Sequence, residues 1–162
     1  MSREKFTANS FSATLKSKYP VTQSGVQGNI LTLTVDTGTY ATLATYLKEQ
    51  GFTRCLTVSA IDWLDDNEFE VYYLVHHLKN NIYTKVATRI PRKKPEIPSL
   101  ATVWDTAALH EREVWELFGI TAVGNPMLKP LFLEDWTGKP PLRKDFNWRD
   151  YVQKEYYKAK EG

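Results

Sequence analysis

FTRCLTVSAIDWLDDNEFEVYYLVHHLKNNIYTKVATRI, residues 52–90, changes the hydrophobic period of the chain to two. Three runs within it (residues 56–61, 69–75 and 83–90) alternate polar with apolar residues and are rich in valine, isoleucine, threonine and aromatics. Successive side chains of a strand point to opposite faces, so this period means strands with one face turned to a core. Asp65-Asp66-Asn67 and Lys79-Asn80-Asn81 stand between the runs and supply turns, because Asn and Asp bond their own backbone and tolerate left-handed conformations. The stretch predicts an antiparallel meander.

Upstream, Phe6, Ala8, Phe11, Leu15 and Tyr19 recur at helical spacing from about residue 3 to 18, and Pro20 ends the pattern. Residues 21–24 and 30–35 flank Gly25-Val26-Gln27-Gly28-Asn29 and read as a hairpin. Asp36 or Thr37 can cap a helix that runs through Gln50, with Tyr40, Leu43, Ala44 and Leu47 on one face and Gly51 as its left-handed stop. Downstream, the prolines of residues 91–98 predict an extended loop whose basic run is read as solvated, with contact to an acidic partner surface as the alternative. Ser99 can start a helical turn, and residues 106–118 predict a helix stopping at Gly119. On that helix Ala107, Val114 and Phe118 share a face with Trp115 beside them, and Glu111 and Arg112 are expected to point away. Pro126, Pro130, Pro140 and Pro141 then break the backbone before a short helix from 148 to 157. The expected class is α+β: a two-layer domain of residues 1–120, with an antiparallel or mixed sheet and two to three helices. Residues 121–162 follow as an extended C-terminal tail that wraps a partner.

A chain of 162 residues with 42% apolar and 25% charged residues is ordinary for one globular domain with a real core. Its net charge of +2 is too small to point to nucleic acid or to a membrane surface, which select concentrated basic faces. Cys55 is alone, so an internal disulfide and a thiolate cluster for zinc or iron–sulfur are not expected, and a reducing compartment fits. The first residues lack a signal-peptide core, and no run approaches the roughly 20 apolar residues that span a bilayer.

Catalytic patterns fail one after another. His110-Glu111 begins like H-E-x-x-H, but residue 114 is Val and the second imidazole is missing. His76 and His77, adjacent on a strand, point to opposite faces and cannot share an ion; one should lie at the surface and one at the core edge. Asp65, Asp66, Glu68 and Glu70 read as a solvated face, with a hydrolase using Glu68 or Glu70 and His76 as the remote alternative. Gly25 and Gly28 lack the spacing of a dinucleotide loop, and there is no phosphate-binding lysine loop. The chain is expected to be non-catalytic by itself.

Two charged clusters remain, Glu111-Arg112-Glu113 and Arg143-Lys144-Asp145. Aromatic residues accompany both, which suits a surface ordered by a partner. HEREVWELFGI (110–120) and PLRKDF (141–146) closely resemble the signature of the C-type, 30-kDa subunit of respiratory complex I (NADH:quinone oxidoreductase). That family extends to the equivalent subunit of energy-converting membrane-bound nickel–iron hydrogenases. Pro126, Glu134-Asp135-Trp136 and Gly138 fall between the two motifs in the family's order. The chain reads Gly124-Asn125-Pro126 where the family usually has Gly-His-Pro, and it carries one extra proline at Pro140-Pro141.

The resemblance implies a cofactor-free structural or assembly subunit of the hydrophilic arm of a redox-driven ion pump. It would sit peripherally on the cytoplasmic side of the membrane and dock on the hydrogenase-like large subunit. Iron–sulfur clusters in neighbouring subunits would carry electrons from NADH or ferredoxin to quinone or, in a hydrogenase, to protons. It marks Glu111, Arg112, Glu113, Phe118, Gly119, Pro126, Trp136, Gly138, Pro141, Leu142, Arg143, Lys144, Asp145 and Phe146 as structural or interface residues. Arg143, after a rigid proline pair, is expected to meet a carboxylate of the partner. A stand-alone α+β binding module is the alternative of a different class.

Overall fold

Each period-two run becomes a strand longer than its apolar pattern. In the computed structural model, which describes residues 6–157, β3 (Arg54–Trp63), β4 (Glu68–His77) and β5 (Ile82–Pro91) form the expected meander. Its turns place Asn67 and Asn81 at positive φ, 56° and 51°, where asparagine is the best tolerated non-glycine residue. The hairpin of β1 (Val21–Gln27) and β2 (Ile30–Val35) joins the sheet in the order β1-β2-β5-β4-β3. β1 runs three residues beyond expectation, because the chain turns only at Gly28, φ 61°. β2 lies parallel to β5 and antiparallel to β1, so the sheet is mixed.

The helices form the second layer. α1 (Ala8–Lys18) starts at a capping box between Thr7 and Ser10; the part of the expected helix before residue 6 lies outside the described residues. α2 (Thr37–Glu49) is capped by Asp36, whose carboxylate accepts from the Thr39 N–H at 2.8 Å. Gly51 follows at φ 97°, and a Cβ there would also lie 2.8 Å from His77 Nε2, so only glycine fits. Phe11, Leu15, Leu43 and Leu47 from the helices join Leu31, Val58, Val71 and Val86 of the sheet in one buried cluster. Each such side chain contributes about 1.5–3 kcal/mol on burial.

Two expectations are corrected. The loop of 91–98 ends in a strand, β6 (Glu96–Pro98), parallel to β7 (Thr121–Val123). The pair places Ile97 and Ala122 in the core and ties the segment before the next helix to the segment after it. Proline is tolerated because the ribbon has only two strands and Pro98 closes one of them. His76 and His77 are both buried. His76 stacks on Tyr83 at 4.2 Å, while Phe6 and Phe52 cover His77 and its Nδ1 accepts from the Asn80 N–H.

Candidate functional site

The third helix, α3 (Asp105–Phe118), carries the first charged cluster. Trp104, just before it, donates its indole N–H to the Phe52 carbonyl and fixes its start against the sheet. Glu111 and Arg112 do not point away: both are buried, and so is Glu116. The reason is helical spacing. Ala107, Glu111, Val114 and Phe118 form one stripe toward the core, and Ala108, Arg112 and Glu116, each four residues on, form a second. The tail covers that second stripe, which leaves Leu109 and Glu113 exposed.

Each buried charge holds backbone. Glu111 accepts from the Leu100 N–H at 2.6 Å, the Ser99 hydroxyl at 2.7 Å and the Asn125 amide at 2.8 Å. Burial raises its pKa, and the three bonds oppose the shift. Asn125 also donates to the Ala108 carbonyl and accepts from the Met127 N–H, so the residue standing in place of the usual histidine ties α3 to the turn at Pro126. Arg112 donates to the carbonyls of Lys129 and Pro130. Glu116 accepts from the N–H groups of Leu131, Phe132 and Leu133 at 2.8–3.1 Å. Desolvation works against the Glu116 charge, but those N–H groups and the Arg112 charge hold its pKa below the ordinary value.

The second cluster closes on the same helix. Gly119 ends α3 at φ 73°, and a Cβ there would lie 2.9 Å from both Arg143 and Pro140. The first partner of Arg143 is within its own chain: its Nε donates to the Phe118 carbonyl at 2.6 Å, and its guanidinium lies over the Phe69 ring. The Leu142 N–H donates to the Leu117 carbonyl at 3.0 Å. Both occupy carbonyls that a helix C-terminus leaves open, where a cation is favoured. Lys144 exposes its side chain and uses its N–H, which donates to Asp62 Oδ2 at 2.9 Å. Arg92 bridges Asp62 and Asp145, at 3.1 and 2.7 Å.

Beyond Gly119 the chain is a strap held at these points. Trp136, Phe146, Trp148 and Tyr151 form its own aromatic cluster around Gly138, where a Cβ would lie 2.9 Å from Trp136 and Tyr151. Pro141 is half-buried and Pro126 exposed. The last described residues are the helix α4 (Trp148–Val152) and a π-helical turn (Gln153–Tyr157), where a short helix is expected; the tail after 157 lies outside the described residues. Between strap and α3 lies a cleft of about 260 Å³, lined by Trp115, Leu133, Trp136 and three prolines and glycines of the strap among others.

Of the marked residues, the structure brings Glu111, Arg112, Phe118, Gly119, Leu142, Arg143, Lys144 and Asp145 into this junction. Trp136, Gly138 and Phe146 sit in the aromatic cluster, and Glu113 stands apart in solvent. Sequence reading gave no role to Glu116 or Asp62 and noted Asn125 only as a departure from the family pattern; it placed Arg92 in a solvated run, whereas the side chain is mostly buried between Asp62 and Asp145. The four-residue spacing from Arg112 could have found Glu116; nothing local marks Asp62 or Arg92. Glu68 and Glu70 face Arg89 and Lys85 in ion pairs. Among the described residues no group of three or more His, Cys, Asp or Glu is placed to hold a metal ion, and burial pushes the Cys55 thiol up to about 11.

The arrangement shares its sequence and fold with known proteins. The chain is 34% identical over 137 residues to the C subunit of the F(420)H(2) dehydrogenase of Methanosarcina mazei, covering 82% of this chain and 87% of that one. It is 39% identical over 102 residues to the C/D subunit of the NADH-quinone oxidoreductase of Phocaeicola vulgatus; the match covers 62% of this chain but only 19% of that longer protein. A chain of the membrane-bound sulfane sulfur reductase, an archaeal respiratory membrane complex, superposes with a TM-score of 0.82 at 26% identity, covering 92% of this chain and 90% of that one. Residues 33–152 match the family described as the 30 Kd subunit of respiratory-chain NADH dehydrogenase. The α+β domain and its strap therefore belong to the family of 30-kDa subunits of respiratory-chain NADH dehydrogenase.

Proposed function

We propose that the chain is a structural, cofactor-free subunit of the peripheral arm of a complex I-like membrane complex, and that the strap is its docking surface. The observation that carries this is the distribution of exposed apolar side chains. Seven of the thirteen large ones exposed among the described residues, including Phe132, Leu142 and Trp148, fall in residues 121–157. Aromatic residues held on a fixed backbone are the usual anchors of an interface. The buried charges of α3 supply the fixed backbone, and the apolar side chains face outward from it.

The partner in this reading is the hydrogenase-like large subunit, with iron–sulfur subunits beside it and attachment on the cytoplasmic side. Contact with the bilayer in this reading runs through the complex; among the described residues no helix is long and apolar enough to cross a membrane. Electrons pass from NADH, ferredoxin or a related donor to quinone. The equivalent place in an energy-converting hydrogenase, with protons as acceptor, uses the same surface.

Phe132→Asp and Leu142→Asp test the reading, since both side chains stand in solvent in the free chain. Circular dichroism and melting of the isolated subunit should stay unchanged, while its recovery with the membrane complex falls by about tenfold or more. Recovery equal to the parent's would overturn the docking role.

A further inference from the structure

Asp62 is out of place by the logic of its strand. It follows Val58 and Ala60 on the inward face of β3, is 3% exposed, and occupies a position where an apolar residue would be the simpler choice. A buried carboxylate is costly unless its partners are complete. Its partners come from two distant parts of the chain: the Arg92 guanidinium beyond β5, and the N–H of Lys144 in the strap. Arg92, only 10% exposed at its side chain, reaches past Asp62 to Asp145, so one guanidinium joins a buried and a half-exposed carboxylate. The Phe69 ring lies under both Arg92 and Arg143.

We infer that Asp62 and Arg92 are positioning residues. They form a latch that fixes residues 142–146 onto the sheet in the free chain, so that the strap meets its partner already formed. Preformed geometry lowers the ordering cost of association. The latch itself is independent of the docking reading; only its effect on assembly rests on it.

Two lesions in the full-length chain separate the possibilities. Asp62→Asn keeps the shape but offers an amide N–H toward a donor, Arg92 or Lys144. Asp145→Ala removes the solvent-side end of the latch and leaves the sheet core untouched, which covers the case that the first variant folds poorly. Trypsin should cut both variants in the strap, after Arg143 or Arg149, on the order of tenfold faster than the parent, with residues 6–118 still resistant and melting of the domain little changed. Recovery with the membrane complex should fall with the same order of effect. Unchanged strap cleavage in both variants overturns the latch. Faster cleavage with undiminished recovery overturns the positioning role, provided that Phe132→Asp does lower recovery. If Phe132→Asp also leaves recovery intact, the docking reading is what fails, and faster cleavage still establishes the latch.

Discussion

The outer face of the sheet and the underside of the strap use the same residue types to opposite ends. On the sheet, Lys85 and Arg89 pair with Glu70, Glu68 and Asp66 across neighbouring strands, in reach of water. Such pairs are worth less than about 1 kcal/mol each, because solvent screens the charges and long side chains lose freedom. Under the strap, Arg112, Glu116 and Arg143 bond backbone groups rather than one another. A segment with repeated prolines cannot pair its own N–H and C=O groups in a ladder, so side chains must do it. Charge on the sheet decorates a structure that exists without it. Charge under the strap is the reason that the segment has a structure.

The largest test of this contrast is Glu116→Ala. Three partly buried N–H groups lose their acceptor, and the strap should lose about 1–3 kcal/mol of local stability. Amide hydrogen exchange at Leu131, Phe132 and Leu133 reads this directly, and protection should fall by roughly tenfold to a hundredfold while β4 and β5 keep theirs.

An intermediate effect comes from acid, with opposite signs at two positions of one helix. The Glu116 pKa is lowered on folding, so its contribution is present above the ordinary carboxylate value and is lost as pH falls through the folded value. The Glu111 pKa is raised, so its contribution is fullest below the ordinary value and declines as pH rises toward the folded one. Melting temperatures across the acid range should therefore lose opposite slopes in Glu116→Gln and Glu111→Gln. Matching slopes would show that one of the two carboxylates is not bonded as described.

The smallest effect belongs to the exposed pair Lys94 and Glu96, 3.3 Å apart. Lys94→Ala should change stability by less than about 0.5 kcal/mol by denaturant unfolding. A loss as large as that of Glu116→Ala would erase the distinction between decorating and organising charge.

Signals carried within a few residues were legible without the fold. The period of two over residues 52–90, Asp36 ahead of a helical face, and Gly51 and Gly119 just past the last apolar residues each reflect local sterics and hydrogen bonding, so their elements stand within a few residues of expectation. The charged clusters were legible as a pattern, but not as a set of bonds. Glu111 and Arg112 look like a solvated face to anyone counting charge, since burial of a charge depends on what covers it. The covering segment begins at residue 121.

By itself the sequence determined the α+β class, the positions of the principal helices and strands, and membership of the family through the 110–120 and 141–146 motifs. Tertiary structure alone decided that β2 lies parallel to β5 and that β6 finds β7. It also decided that Asp62 receives an N–H from a residue 82 positions away. Local periodicity reports which face of an element is apolar, and it carries no information on which distant segment will come to lie against that face. Those contacts form only when the chain has closed its long loops and the buried polar groups have found the few partners in reach.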